Sequence, residues 1–511
     1  MRALISVYDK TGLVPFARGL ADLGFELVAS GGTASALEAE GLAVTRVEEV
    51  TEFPELLAGR VKTLHPRIHA GILARRDLED DLAELAEHLI EPFDLVCVNL
   101  YPFEKAVGRL DVTEEDAIEL IDVGGPAMLR AAAKNHASVT PVCRPEDYAR
   151  VLAELRARDG RTSGETRRHL AGFAFATTAA YDAAIAAWLR DDRELPDSLA
   201  LAFDKVADLS YGENPHQQAA YYAERGSRTH LLSRVSQLHG KPLSFNNLND
   251  LSAARLLLRE LDGPACVIVK HANPCGVAVA ETIDDAYARA LAADPGSAYG
   301  GVVVLDRAVD ASLGKTLADQ FVEVLFAPGY DDQALEVLSR RASIRILSDL
   351  ERRAFSETER DYKRVLGGLL VQDRDWEHLD RSQLEVVCGE VSVEQEDDLL
   401  FAWRVVKHVT SNAVVVARGG QTIGIGAGQM SRVDSVRIAL DKARELGHET
   451  EGAVLASDAF FPFADGPELA LEAGVAAFVQ PGGSKRDREV IEAVSAAGAA
   501  MVFTHRRQFS H

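Results

Sequence analysis

The sequence predicts an α/β protein of two or three domains, and three observations carry that prediction. Residues 1 to about 195 alternate short apolar strands with amphipathic helices, the pattern of a parallel sheet covered on both faces. The run Ala265-Cys266-Val267-Ile268-Val269 is continuous and apolar, as in a strand buried on both faces, and it ends abruptly in Lys270-His271. A length of 511 residues allows several full hydrophobic cores, and 47% hydrophobic with 26% charged residues is an ordinary globular composition.

The net charge of −24 argues against a nucleic acid or an anionic membrane as partner, because the long-range field repels phosphates. Small anions held by local basic clusters remain suitable ligands. Met1 to Val7 run straight into a strand pattern, without the long apolar core and cleavage site of a signal peptide. The most membrane-like stretch, residues 170–189, carries Thr177, Thr178, Tyr181 and Asp182 and reads as a packed soluble helix. The five cysteines are widely separated and include no Cys-x-x-Cys, so a disulfide framework or structural zinc is not expected and the compartment reads as reducing cytoplasm.

Taken in order, the first strands are expected at residues 3–7, 26–29, 95–99 and 139–143. Ser6 and Asp9-Lys10-Thr11-Gly12 follow the first. Ser30-Gly31-Gly32-Thr33 follows the second and opens a helix whose free amides favour an anion. Arg60, Lys62, His65, Arg67 and His69 put five potentially cationic side chains within ten residues of an acidic chain, a local inversion suited to anion capture. Asn99-Leu100-Tyr101-Pro102-Phe103 places a phenol beyond another strand. Ile121-Asp122-Val123-Gly124-Gly125-Pro126 begins a helix along which Arg130 and Lys134 share a face. Strand ends in such sheets are where ligands bind.

The polar segment 191–198 is expected to link this part to a second α/β region. There Tyr211-Gly212-Glu213-Asn214-Pro215-His216-Gln217 reads as a turn. Lys270 and His271 should lie where a strand meets its loop, with Asn273-Pro274-Cys275-Gly276 stopping the strand. Val409-Thr410-Ser411-Asn412 ahead of Val414-Val415-Val416 faintly echoes Lys270-His271-Ala272-Asn273 ahead of Val277-Ala278-Val279, suggesting two similar sheets. The stretch 423–432 reads as a glycine-rich turn followed by Arg432, without the glycine spacing of a dinucleotide fingerprint. Ser457-Asp458-Ala459-Phe460-Phe461-Pro462-Phe463 is an aromatic loop suited to stacking on a flat heterocycle.

Assembled, these segments resemble the bifunctional purine-synthesis family that joins 5-aminoimidazole-4-carboxamide ribonucleotide (AICAR) formyltransferase to inosine monophosphate (IMP) cyclohydrolase. The resemblance spans essentially the whole chain and rests on SVYDKTGL, SGGTA, GRVKTLHP, NLYPF, IDVGGPAMLRAAAKNH, YGENPHQ, KHANPCG, SNAVVVA, IGAGQMSR and SDAFFPF, in that order. It implies a methylglyoxal-synthase-like parallel-sheet domain at 1–195, the cyclohydrolase, and a formyltransferase at 200–511 built of two cytidine-deaminase-like α/β subdomains. It implies a cytoplasmic homodimer with shared formyltransferase sites, purine ribonucleotide substrates and 10-formyltetrahydrofolate as co-substrate. It calls for no catalytic metal and allows a structural monovalent cation.

By this resemblance His271 takes the proton of the 5-amino nitrogen as it attacks the formyl carbon, Lys270 assists, and Asn412 holds the formyl oxygen or the carboxamide. Tyr211, Tyr299, Glu323, Arg432, Phe460 and Arg507 look like ligand contacts. In the cyclohydrolase Lys62, Tyr101, Asp122 and Lys134 match the catalytic set, while Ser6, Ser30, Gly32, Thr33, Arg60, Thr63 and Gly124 match ligand contacts. Two departures stand out. Ser210 replaces an arginine usual before the Tyr-Gly pair, and Phe173-Ala174-Phe175-Ala176-Thr177-Thr178-Ala179 replaces a run with a lysine and a histidine. They raise the alternative that one activity, the formyltransferase first, is impaired.

Two rivals are weaker. Pro274-Cys275 is similar to the Pro-Cys-x-x-Cys element of zinc deaminases, but Ala278 replaces the second cysteine and no His-x-Glu precedes it in this segment. A nucleotide-binding regulator explains the glycine-rich loops but not Lys270-His271.

Overall fold

The structure is a computed structural model that describes residues 1–107, 112–190, 194–225, 235–349 and 359–511. Of the expected linker at 191–198, Asp191, Asp192 and Arg193 lie outside the described residues. The chain forms two compact units, Met1–Asp204 with Glu224–Arg228, and Lys205–Ala223 with Thr229–His511.

In the first unit β1 (Arg2–Val7), β2 (Glu26–Ala29), β3 (Thr45–Arg46), β4 (Leu95–Asn99) and β5 (Thr140–Val142) form one parallel sheet in the order β3-β2-β1-β4-β5. Side chains alternate across it. Ala3, Ile5 and Val7 enter a core with helices Leu13–Asp22 and Tyr148–Ala157, whereas Leu4 enters another with helices Pro66–Leu73 and Gly124–Lys134. Each fully buried Val, Leu or Ile contributes about 1.5–3 kcal/mol. The strand order reverses between β1 and β4, so the crevice beyond their carboxyl ends is the switch point where such sheets bind ligands. Helix Gly164–Trp188 is long and apolar enough to cross a membrane by length and composition, and it buries Leu170, Ala171, Ala174 and Tyr181 against other helices of the unit.

A ribbon of β6 (Phe203–Leu209) and β7 (Ala219–Glu224) marks the border between the units in sequence. The second unit then lays down β8 (Ser236–His239), β9 (Ala265–Lys270), β10 (Asn273–Val279), β11 (Val302–Leu305), β12 (Val324–Ala327) and β13 (Arg345–Ser348). After the separate hairpin β14 (Arg360–Val365) and β15 (Gly368–Asp373) come β16 (Glu385–Cys388), β17 (Val414–Arg418), β18 (Gln421–Gly426), β19 (Val454–Ser457), β20 (Ala477–Gln480) and β21 (Ala500–Phe503). The result is a single sheet of twelve strands, ordered β16-β21-β20-β19-β17-β18-β10-β9-β11-β12-β13-β8, rather than two.

That order reads the same from its centre outward. In each half an antiparallel hairpin (β9–β10, β17–β18) is followed by one more antiparallel pairing (β9–β11, β17–β19), then two parallel pairings, and is closed by an antiparallel edge strand. The halves join where β10 meets β18 at Ala278 and Gln421. Helices Phe245–Leu258 and Val393–Val406 cover the shared face, and each starts with a reciprocal cap, Ser244 with Asn247 and Ser392 with Gln395. The duplication expected from sequence is present, but its register differs. The turn between Lys270 and Asn273 matches Gly419-Gly420 between Arg418 and Gln421, not the approach to β17 at 409–412.

The same comparison corrects the reading of 273–276. Asn273-Pro274-Cys275-Gly276 does not stop a strand but starts β10, with a bulge between Pro274 and Gly276. Gly276 is needed for close approach, since a Cβ there would stand 2.0 Å from the Ala290 carbonyl oxygen. Gly424 and Gly426 likewise lie in β18, with would-be Cβ atoms 2.1 and 1.9 Å from the Ala439 and Ser435 oxygens of helix Arg432–Glu445. The glycine-rich turn expected at 423–432 is therefore mostly strand.

Candidate active sites

In the first unit the glycine-rich turns meet at the switch point. Ser6 lies next to the end of β1 with its hydroxyl 3.0 Å from that of Ser30, the residue before helix Gly31–Ala39, and the Thr33 hydroxyl exchanges hydrogen bonds with the Val7 backbone. Gly32 faces open space, leaving the helix start accessible to an anion. Asn99 Oδ1 accepts from the Tyr8 and Asp9 amides at 2.6 and 3.0 Å, and the Tyr8 ring meets Tyr101 edge-on at 5.5 Å.

Asp122 ties this edge to the next helix. Its Oδ1 accepts from the Gly125 amide at 2.8 Å, and its carboxylate also accepts from the Tyr101 amide. Burial pushes the carboxyl above the ordinary aspartate value, and those two amides offset part of the shift. Tyr181 pins the turn, accepting from the Asp122 amide at 2.8 Å and donating to the Leu120 carbonyl at 2.9 Å.

Lys62 and Thr63 lie between the two turns. A Cβ on Gly31 would sit 2.9 Å from Lys62 Nζ, and one on Gly124 would sit 2.6 Å from Thr63 Oγ1. The Lys62 ammonium is held by Glu55 at 2.6 Å, and Arg60 by Glu119. The Lys62 pair is partly buried and the Arg60 pair is open to water, and an incoming anion can exchange with either. Lys134 is set apart, because it ends the 11-residue helix that Gly124 starts, about 15 Å away along the axis.

In the second unit Lys270 ends β9 and His271-Ala272 form a two-residue turn. Both have positive φ, 62° and 60°, in a hairpin position that ordinarily takes Asn-Gly. His271 is exposed at the tip. The Asp250 carboxylate, from helix Phe245–Leu258, accepts the amides of His271 at 3.3 Å and Ala272 at 2.7 Å. Burial raises the Asp250 carboxyl, with the two amides acting against it. Lys270 Nζ donates to the Tyr299 carbonyl. Beside the pair opens a cavity of about 460 Å³ lined by Asn273, Cys275, Asp294, Thr422 and Lys442 as well. Burial pushes the Cys275 thiol up to about 12, so it is no nucleophile.

Asn273 connects this hairpin to Asn412, its Oδ1 accepting from the Thr410 amide at 2.9 Å. The Asn412 carboxamide donates to the carbonyls of Gln429 and Met430 at 2.9 and 3.2 Å, and its Oδ1 accepts from Arg432 at 2.7 Å. Only one lone pair of that oxygen remains. Arg432 is 7% exposed and also binds Ser457 and the fully buried Asp458, so it is committed as a counterion and stands behind Asn412 rather than open to a ligand.

The tail returns to the same place. Ser411 accepts from the Ser510 amide at 3.1 Å and Gln508 donates to the Asp458 carbonyl at 2.8 Å. Arg507 beside them lies over the Phe509 ring at 4.4 Å. The aromatic loop divides, with Phe461 in the core and Phe460 and Phe463 exposed. Tyr299 is exposed against Phe321. Glu323 is bound by Asn247 at 3.0 Å and Arg345 at 3.3 Å, and the Tyr211 carbonyl accepts from the Phe245 amide at 3.2 Å. The Ser210 hydroxyl bonds to the Leu243 carbonyl.

Sequence reasoning gave no role to Asp250, Asn273, Asp458, Tyr181 or Glu55. A signal existed for Asp250: the spacing Ser244, Asn247, Asp250 recurs as Ser392, Gln395, Asp398.

The family described as AICARFT/IMPCHase bienzyme matches residues 132–442, and the MGS-like domain matches residues 12–127. The chain is similar to the bifunctional purine biosynthesis protein PurH of Magnetococcus marinus, 51% identical over 527 aligned residues that cover 100% of this chain and 99% of that protein. The corresponding protein of Acidithiobacillus ferrooxidans is 50% identical over 517, covering 100% and 99%. That of Cereibacter sphaeroides is 50% identical over 523, covering 100% and 98%. A solved chain described as the crystal structure of ForH aligns with 36% of this chain and 95% of its own at 42% identity and a TM-score of 0.34.

Proposed function

The chain belongs to the AICARFT/IMPCHase bienzyme family, and from that membership we propose which of its residues perform the two reactions. It is a formyltransferase and a cyclohydrolase of purine biosynthesis. A formyl group passes from 10-formyltetrahydrofolate to the 5-amino nitrogen of AICAR, and the product closes to IMP with loss of water. No observation favours the reading in which one activity is impaired.

We assign formyl transfer to the β9–β10 hairpin and the cavity beside it. The amino nitrogen attacks the formyl carbon while His271 takes its proton, and the carbonyl oxygen gathers charge within reach of the Lys270 ammonium. The folate nitrogen then leaves with a proton. Asn412 uses its remaining oxygen lone pair to accept from the substrate carboxamide, because its amide hydrogens are already bonded. Tyr299, Phe460 and Arg507 offer exposed surface for the ribonucleotide and folate, whereas Arg432 serves through Asn412. Tyr211 and Glu323 border the helix that carries Asp250. The observation that carries this assignment is the exposed His271 beside Lys270 at the mouth of a cavity large enough for a small ligand.

We assign ring closure to Asp122, Tyr101 and Lys62. The carboxamide nitrogen attacks the formyl carbon, Asp122 takes its proton and passes it to the formyl oxygen beside Lys62, and that oxygen leaves as water with the formamide N–H proton as the C=N bond forms. The phosphate sits at the helix start after Ser30, with Ser6, Gly32, Thr33, Arg60, Thr63 and Gly124 around it. No step requires Lys134. The cyclohydrolase is placed at 1–195 and the formyltransferase at 200–511, supported by the border between compact units near residue 204.

The same reading makes the enzyme a cytoplasmic homodimer. The relatives' purine-biosynthesis names and five free cysteines support the compartment, and exposed Leu366, Leu369 and Leu370 offer apolar contact surface for a second copy. No catalytic metal is called on, and the structural monovalent cation is assigned no residues. The test is direct: purified chain given AICAR and 10-formyltetrahydrofolate should yield IMP and tetrahydrofolate in equal amounts. Absence of both products would overturn the reading.

A further inference from the structure

We propose that Asp250 is a positioning residue for formyl transfer, holding the His271-Ala272 turn in the strained shape that presents the imidazole. The proposal rests on the assignment of His271 as the proton acceptor.

Three observations carry it. First, both residues of the turn bear side chains in the left-handed region, at φ 62° and 60°, a conformation such residues resist. Second, the two amides exposed by that conformation point at one carboxylate, Asp250 Oδ2 for His271 at 3.3 Å and Oδ1 for Ala272 at 2.7 Å. Asp250 is itself fixed on a helix capped by Ser244 and Asn247.

Third, the duplicated half contains the same device. Asp398 occupies the same position after the Ser392 cap, and its two oxygens accept the amides of Gly419 and Gly420 at 2.6 Å each. Those residues adopt φ 58° and 71°, as glycine does without strain. Arg289 bonds the Gly419 and Val279 carbonyls beside that turn. One fold feature thus appears twice, once on glycines and once on a histidine and an alanine. Where glycines form the turn the carboxylate is an aid, whereas under His271-Ala272 it opposes a preference of the residues themselves. Losing it should let the turn relax and swing the imidazole away from the reacting nitrogen.

The test compares kcat and KM of formyl transfer in four full-length variants. Asp250→Ala should lower kcat about 100-fold, the scale of a misplaced catalytic group, with the KM for AICAR little changed. Adding Ala272→Gly to Asp250→Ala should recover part of kcat, because glycine removes half the strain. Asp398→Ala should leave kcat unchanged. His271→Ala serves as reference: if it retains formyl transfer, the assignment of His271 fails, and if it abolishes transfer while Asp250→Ala keeps the wild-type kcat, only the positioning role fails. Equal kcat losses in Asp250→Ala and Asp398→Ala, or no recovery from Ala272→Gly, would also overturn the proposal. If Asp250→Ala does not fold, Asp250→Asn stands in for it. That variant keeps an acceptor for Ala272 and should show an intermediate kcat, and wild-type kcat would count against the role.

Discussion

Replacing Gly276 with alanine separates two reasons for a glycine in the strand that follows the His271-Ala272 turn. The residue lies in β10, fully buried, and an added Cβ would stand 2.0 Å from the Ala290 carbonyl oxygen and 3.0 Å from its carbon. Both atoms are backbone of helix Ile283–Ala293, so no side chain can turn aside to make room. A carbon and an oxygen in contact need about 3.3 Å or more, so the helix must retreat by more than about 1 Å from the strand it packs on. Overpacking of this kind costs about 3 kcal/mol, the upper end of what inserted methyls do. For a unit of this size that corresponds to a fall in Tm of about 6 °C.

Differential scanning calorimetry of the full chain measures it, with Gly498→Ala as the contrast. Gly498 has φ 75° and nothing near its would-be Cβ, so alanine there should cost only about 1 kcal/mol of backbone strain. Because the helix ends at Ala293 and Asp294 beside the cavity, formyl transfer should fall in Gly276→Ala while ring closure persists. An unchanged Tm in Gly276→Ala, or equal losses in the two variants, would refute the close-approach argument.

Asp122→Asn should slow ring closure by about 10²–10⁴-fold and leave formyl transfer intact, measured with the formylated ribonucleotide as substrate. Since burial raises the Asp122 carboxyl and a base works only when deprotonated, the wild-type rate should fall as pH drops through a point above 3.8, and that limb should vanish in the variant. Glu55→Gln frees the Lys62 ammonium from a partly exposed pair worth about 0.2–1 kcal/mol, so the KM for the anionic substrate of ring closure should fall by up to about fivefold. Cys275, with its thiol pushed up to about 12, should resist iodoacetamide at neutral pH although it lines the cavity, as mass spectrometry of the labelled chain will show.

The parallel sheet of the first unit was legible because β1, β2 and β4 are runs of Val, Leu, Ile and Ala with polar ends. Strand β3 was not, since two residues carry no period. The twelve-stranded sheet was hidden by Pro274, which reads as a terminator although a bulge next to it accommodates the missing amide. The hairpin tip left no trace because His271 and Ala272 are not residues that announce a positive φ, whereas Gly419-Gly420 in the other half did so and went unmatched. Reactive residues were readable as types at strand ends. What each was bonded to was not: neither the pairing of Arg432 with buried Asp458 nor the 11-residue helix between Gly124 and Lys134 can be read from residue types alone.

Two sites, one in each unit, are proposed to carry the two reactions, and the rates of those reactions in two variants test that most directly. His271→Ala should lose formylation of AICAR while still closing supplied formylated ribonucleotide to IMP, and Asp122→Asn should do the reverse. Loss of both reactions in either variant that keeps its fold, or survival of formyl transfer in His271→Ala, would contradict it.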